Sequence, residues 1–180
     1  SNISLLLSDE RMVSVNHKAS NYGMIKKMLL EELDIGNKPH IIPEMEKFKA
    51  NDNEKFLYDT NLLLEEKSPI VHAFLGLGSD GHTASLFPGG RISSENNQPY
   101  LITAKQGELY QRMTLSLHFL KRIPKVTFLV SGKSKKNAIK SILDYHKVSE
   151  KSPANQLIEK SNSQINILCD HNSWPGKVYA

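Results

Sequence analysis

A single cysteine, Cys169, stands in 180 residues. No internal disulfide can form, and such usage fits a reducing compartment, so the cytoplasm is the expected location. Cys169 closes the apolar run 165–169 and reads as a small buried hydrophobe. No apolar run approaches the length of a membrane span. The first residues lack the basic stretch, apolar core and small-residue cleavage site of a secretory signal. Aromatic residues make up only 7% of the chain, and lysine and arginine form no stripe interleaved with them. Nucleic acid and membrane are therefore not expected partners. Repeats, low-complexity tracts and a clear interdomain linker are also missing.

What is present is an ordinary globular composition, 39% apolar and 23% charged, enough for one core. The net charge of +4 includes a local cluster at Lys133, Lys135 and Lys136, which suits a small anion better than a polymer. The oligomeric state cannot be read from such features.

Apolar periodicity alternates between strand and helix. Residues 3–8, 71–77, 125–130 and 164–169 read as strands, with 100–104 and 113–117 as weaker ones. Ser20 is placed to cap a helix running to Leu33, with Tyr22, Ile25, Met28, Leu29 and Leu33 on its buried stripe. A second helix is expected over 51–66, anchored by Phe56, Leu57, Leu62 and Leu63, and a lysine-rich helix runs to Leu143. This alternation predicts an α/β fold, a doubly wound and mostly parallel sheet flanked by helices. Ligands bind such sheets beyond the carboxyl ends of the strands. Three polar clusters follow predicted strands: Asp9-Glu10-Arg11, 78–85 and 131–135.

The central cluster reads Gly76-Leu77-Gly78-Ser79-Asp80-Gly81-His82-Thr83-Ala84-Ser85-Leu86-Phe87-Pro88. Its glycines permit a tight turn and close approach to a ligand. A helix is expected to start after them, whose N–H groups would favour developing negative charge. His82 can exchange a proton near neutral pH, and Asp80, two residues before, can orient it. On spacing alone, a helix-capping turn bearing an exposed histidine accounts for this segment equally well. The glycine spacing is neither a dinucleotide fingerprint nor a phosphate-binding loop ending in Lys-Ser/Thr. His17, His40, His118, His146 and His171 lack ligand spacing, and Asp80 and His82 have no third ligand, so no metal and no cofactor are expected.

The segment GLGSDGHTASLFPG resembles the signature of the 6-phosphogluconolactonases, relatives of the glucosamine-6-phosphate isomerases (deaminases) that share an α/β architecture. Ser8-Asp9-Glu10-Arg11 with Ser20-Asn21-Tyr22, Arg112-Met113-Thr114-Leu115, Ser131 to Lys135, Pro153-Ala154 and Asp170 are similar to further family segments, in order. The resemblance implies hydrolysis of 6-phosphogluconolactone to 6-phosphogluconate, a carboxylic ester hydrolysis in the oxidative pentose phosphate pathway. It implies His82 as base to a water, with Asp80 beside it and Glu10 or Asp80 as fallback bases. Gly78 and Gly81 would supply oxyanion N–H groups, and Arg11 and Lys135 would converge on the phosphate, with Asp9, Ser79 and Arg112 also lining the substrate. The deaminase branch carries a glutamate where this chain reads Ser85-Leu86-Phe87, which favours the lactonase. Family members have a preceding strand-helix-strand region with a Gly-Gly-Ser loop. Residues 1–180 are accordingly expected to be one α/β domain, incomplete at its N-terminus. A phospho-sugar-binding remnant without turnover is the remaining alternative.

Overall fold

The computed structural model describes residues 4–33, 39–49, 51–65, 70–93 and 97–176. Its strands form three groups. β1 (Ser4–Leu6) pairs in parallel with β3 (His40–Ile42). β4 (Ala73–Gly76), β7 (Lys125–Val130) and β8 (Gln164–Cys169) form a parallel sheet with β7 central. β2 (Asp9–Arg11), β6 (Arg112–Leu115) and β5 (Tyr100–Thr103) form an antiparallel sheet with β6 central. The helices are α1 (Asn21–Ile25), α2 (Asn53–Glu65), α3 (Leu117–Leu120), α4 (Lys136–Leu143) and α5 (Pro153–Lys160).

The α/β class agrees with the sequence pattern, but the strands do not make one parallel sheet. The run 3–8 is followed at once by a second strand, since Asp9, Glu10 and Arg11 pair with Thr114, Met113 and Arg112. That triplet is therefore a strand in its own right. β2 alternates half-buried and buried positions, whereas central β6 is buried from Met113 to Leu115. Short connections join β2 to nothing local, so only tertiary pairing defines it.

The core draws on all three groups. Val126, Phe128 and Val130 of β7 point inward with Leu75 and Leu77, against Ala138, Ile139 and Ile142 of α4 and Ala154 and Leu157 of α5. The opposite face of the same sheet is open toward its carboxyl end, with Phe74 60% exposed, Leu129 50% and Leu168 59%, while Thr127 beneath His72 is buried. Parallel sheets ordinarily bury both faces.

Two predicted helical faces need correction. Ser20 does cap α1, its hydroxyl accepting from the Gly23 N–H at 2.9 Å. The chain then continues as a π-helical turn over Lys26–Leu30. The wider turn shifts the register, so Leu30 is buried whereas Met28 and Leu29 face outward. In α2, Leu62 is exposed because Phe56, Thr60 and Asn61 take the inward face. Asn61 is held there by bonds to both backbone groups of Tyr100: its Nδ2 donates to the carbonyl and its Oδ1 accepts from the N–H. Cys169 is only partly buried and packs against the core, as does Trp174.

Candidate active site

The loop 77–88 leaves the carboxyl end of β4 and closes on itself. The Gly78 N–H donates to the His82 carbonyl at 2.8 Å, and the Gly81 N–H to the Gly78 carbonyl at 3.0 Å. The Thr83 hydroxyl reaches back to the Gly76 carbonyl at 2.9 Å. No helix follows Gly81. A single antiparallel bridge joins Thr83 to Leu86, and Ala84 sits at φ 50°. The expected dipole of a helix start is thus absent at His82. The expected oxyanion donors are also corrected: the N–H groups of Gly78 and Gly81 are used inside the loop.

The loop fixes His82 firmly. Its Nδ1–H donates to Asp80 Oδ1 at 2.6 Å, and its backbone N–H donates to the same oxygen at 3.1 Å. A carboxylate accepting from Nδ1–H leaves the lone pair on Nε2, the state a base requires. Partial burial pushes the Asp80 carboxyl up, but the bonds and charge of His82 outweigh it and hold the group below its ordinary range. Gly78 lies directly beneath the imidazole: a Cβ there would overlap His82 Nδ1 and Cε1. Gly81 sits at φ 79°, and a Cβ on it would collide with Ser152. Ser152 begins α5 with a capping box, and the Ala154 N–H donates to the Gly81 carbonyl at 3.1 Å. Glycine is required at 78 and 81 by these contacts and by the left-handed turn at Gly81, whereas a Cβ at Gly76 would meet open space.

A cleft of 330 Å³ opens beside Asp80, bounded by Phe87 to Gly90, Ile92 and residues 150–153 and 156. The Phe87 ring stands 5.0 Å from the His82 ring. A larger cavity of 390 Å³ lies between residues 44–52 and α2. Two ion pairs line it, Lys47 with Glu44 and Lys55 with Asp59, and no residue of the 77–88 loop does.

From the antiparallel sheet, Asp9 and Arg112 reach the same loop through Ser85. The Ser85 hydroxyl donates to Asp9 Oδ2 at 2.5 Å and accepts from Arg112 Nη1 at 3.2 Å, while its N–H donates to Thr114 Oγ1 at 3.0 Å. Glu10 points the other way. Fully buried, it accepts from the N–H groups of Arg11, Asn21 and Tyr22 and from the Ser20 hydroxyl. Burial holds its carboxyl above the ordinary range against those donors. With both oxygens occupied, it is a clamp between β2 and α1 and not a reserve base.

Arg11 turns toward the same helix start, Nη1 donating to the Ala19 carbonyl at 3.3 Å and also to Asn21 Oδ1. Lys135 ends the 3-10 turn Lys133–Lys135 after β7. Asp170 braces that turn by accepting from the Gly132 N–H and the Ser131 hydroxyl. Arg11 is thus engaged at the start of α1, and Lys135 sits on the turn beyond β7. Ser79 is an exposed turn residue. No group of three or more His, Cys, Asp or Glu side chains able to hold a metal occurs among the described residues. Sequence reasoning missed Phe87, Ser85, Lys105 and Glu108. The first two lie in the motif itself; the last two are joined to it only by the fold.

Comparison with known proteins agrees with this geometry. Residues 1–166 match the profile of the family described as glucosamine-6-phosphate isomerases/6-phosphogluconolactonase. The chain is 32% identical over 145 residues to a 6-phosphogluconolactonase of Synechocystis, covering 78% of this chain and 60% of that protein. It is 29% identical over 153 residues to 6-phosphogluconolactonase 3 of Saccharomyces cerevisiae, covering 78% and 58%. The chain thus spans about three-fifths of the length of these curated relatives. Among solved structures, the 6-phosphogluconolactonase of Trypanosoma cruzi superposes with a TM-score of 0.73 at 25% identity, covering 92% of this chain and 69% of that one. A monomeric glucosamine-6-phosphate deaminase superposes with a TM-score of 0.75 at 20% identity, covering 96% and 74%, so the fold alone does not separate the two activities. With the profile spanning 166 consecutive residues and the histidine loop intact within them, the chain belongs to the glucosamine-6-phosphate isomerase/6-phosphogluconolactonase family.

Proposed function

We propose that this chain carries the hydrolytic centre of a 6-phosphogluconolactonase. The observation that carries the reading is the Asp80–His82 pair, which leaves Nε2 as the basic nitrogen, with Asp80 and Phe87, the two residues against the imidazole, both lining a cleft. Ester hydrolysis needs a positioned water and a group to take its proton. In this reading His82 Nε2 accepts that proton as the water oxygen bonds to the lactone carbonyl carbon. The negative charge on Asp80 stabilises the imidazolium so formed. When the tetrahedral adduct collapses, the bond to the ring oxygen breaks and the imidazolium returns the proton to that oxygen. One water is consumed, one hydroxy acid is released, and His82 ends as it began. No cofactor enters this scheme. Arg112 and Lys135 are the cations assigned to the substrate, Asp9 orients Arg112, and Ser79 borders the loop. One partly buried cysteine fits the reducing cytoplasm, where we place the reaction.

The test is hydrolysis of 6-phosphogluconolactone above its spontaneous rate, for the chain and for His82→Ala. Equal rates for the two proteins, with the chain active, would remove His82 from this role. A deaminase reading has the shared fold behind it. It needs a further carboxylate where the hydroxyl of Ser85 and the ring of Phe87 stand, and ammonia release from glucosamine 6-phosphate would establish it in place of the lactonase. Binding of 6-phosphogluconate without turnover would mark a remnant.

A further inference from the structure

Phe87 does more than wall the cleft. Besides His82, its ring has two cations above it: Lys105 Nζ at 5.4 Å from the centroid and the Arg112 guanidinium carbon at 5.7 Å. Both belong to the β5–β6 hairpin, Lys105 two residues beyond β5 and Arg112 at the start of β6. An aromatic face attracts cations through its quadrupole, so one ring holds two positive groups beside the imidazole.

Those cations already share an anion. Glu108 Oε2 accepts from Arg112 Nε at 3.0 Å and from Nη2, while Oε1 lies 3.5 Å from Lys105 Nζ. The Arg112 side chain is 13% exposed and that of Glu108 33%. Asp9 and Ser85 hold the Nη1 corner of the guanidinium from within, and Glu108 covers the Nε–Nη2 edge from outside. That edge is the one a guanidinium offers to an incoming carboxylate or phosphate. A partly exposed carboxylate four residues away in sequence holds it only weakly. A phosphate brings up to two charges and three acceptor oxygens to the same place.

We propose that Lys105 and Arg112 form a phosphate-binding subsite beside His82, and that Glu108 occupies it in the free protein as an internal competitor. Substrate phosphate displaces the Glu108 carboxylate from the open edge of Arg112 and gains Lys105. Asp9 and Ser85 keep the guanidinium in place during the exchange. Lys105 is then a specificity residue, selecting lactones that carry a phosphate. This rests on the lactonase reading only for the identity of the ligand, because the subsite itself is defined by the hairpin.

The test is calorimetric titration of the whole chain with inorganic phosphate at low, constant ionic strength, alongside lactone hydrolysis by the same proteins. Glu108→Gln is expected to tighten phosphate binding and Lys105→Met to weaken it, each by about two- to fivefold, the range of an exposed ion pair. Both effects should shrink in high salt. The sign for Glu108→Gln is decisive: a carboxylate that merely braced the hairpin would, when neutralised, loosen Arg112 and weaken binding. Weaker or unchanged binding in Glu108→Gln, or unchanged binding in Lys105→Met, overturns the proposal. Phosphate binding that responds as expected in a chain without lactone hydrolysis supports the subsite and sinks the lactonase reading. Hydrolysis with unresponsive phosphate binding does the reverse.

Discussion

The parallel sheet and the antiparallel sheet meet at one loop but contribute different things to it. β4, β7 and β8 supply rigidity: a strand end from which the loop departs, and a buried face packed on α4 and α5. β2, β6 and β5 supply charge: Asp9, Arg112 and, from the hairpin turn, Lys105 and Glu108. The Asp80–His82 pair follows the first and the Arg112–Lys105–Glu108 cluster belongs to the second, with Ser85 and Phe87 as the joints. A parallel sheet buried on a face can fix backbone to within the tolerance of a hydrogen bond, whereas the antiparallel sheet keeps its largely buried ionised groups by pairing them, Arg112 with Asp9 and Glu108 and Glu10 with backbone N–H groups.

This contrast can be broken experimentally. The largest effect is expected at the acid–base pair. His82→Ala should lower kcat for lactone hydrolysis by about two to four orders of magnitude, with KM changed much less, because the cations proposed to hold the substrate, Arg112 and Lys135, are groups distinct from the imidazole. A comparable rise in KM would show that the two contributions are not separate. Next comes the parallel sheet itself. Phe128→Ala, on its buried face, should cost about 3–5 kcal/mol in denaturant unfolding. Leu129→Ala, one residue along and half exposed, should stay within about 0.5 kcal/mol. Equal losses would mean that both faces are covered in solution.

The two glutamates give a third test, within the antiparallel sheet. Glu10→Ala strands three buried N–H groups and should destabilise by about 2–4 kcal/mol. Glu108→Ala removes a partly exposed pair and should cost less than about 1 kcal/mol. A smaller effect concerns Asp170. The Ser173 side chain, the Gly132 and Ser173 N–H groups and the Ser131 hydroxyl lower its pKa from 3.8 to about 2. A carboxyl whose folded pKa is depressed stabilises the fold above its unfolded value. Its contribution should be complete above about pH 4 and lost as pH falls from there toward 2. In Asp170→Asn, that part of the acid unfolding curve should flatten. Last, a strong chelator should leave turnover unchanged; loss of activity restored by zinc would contradict this.

The parallel strands were legible because their apolar runs are long and continuous. β7 and β8 pair over six residues each, as their pattern indicates. β2 was not, since Asp9-Glu10-Arg11 has no strand propensity and pairs only because Met113 and Arg112 lie opposite. The glycines and His82 were legible from spacing, and Asp80 from its place two residues earlier. The helix expected after Gly81 was a wrong inference from glycine followed by polar residues, as local bonds to the Asp80 carboxylate and the Gly78 carbonyl compete successfully with a helical turn. The outward turn of Met28 and Leu29 follows from a π-helical register that a 3.6-residue period does not anticipate. Lys105 and Glu108 carry no signal at all, being ordinary hairpin charges until the fold sets them over Phe87.

The closure of Gly78 onto the His82 carbonyl has a consequence for motion. Residues 78–82 form a small backbone ring with the Asp80 carboxylate bonded inside it, so no single member can swing out while the others stay. The unit opens together or not at all. Hydrogen exchange at the Gly78 and His82 amides should therefore proceed at one common rate. The imidazole's orientation is settled when the chain folds, and no conformational entropy is left to be lost there when a substrate arrives.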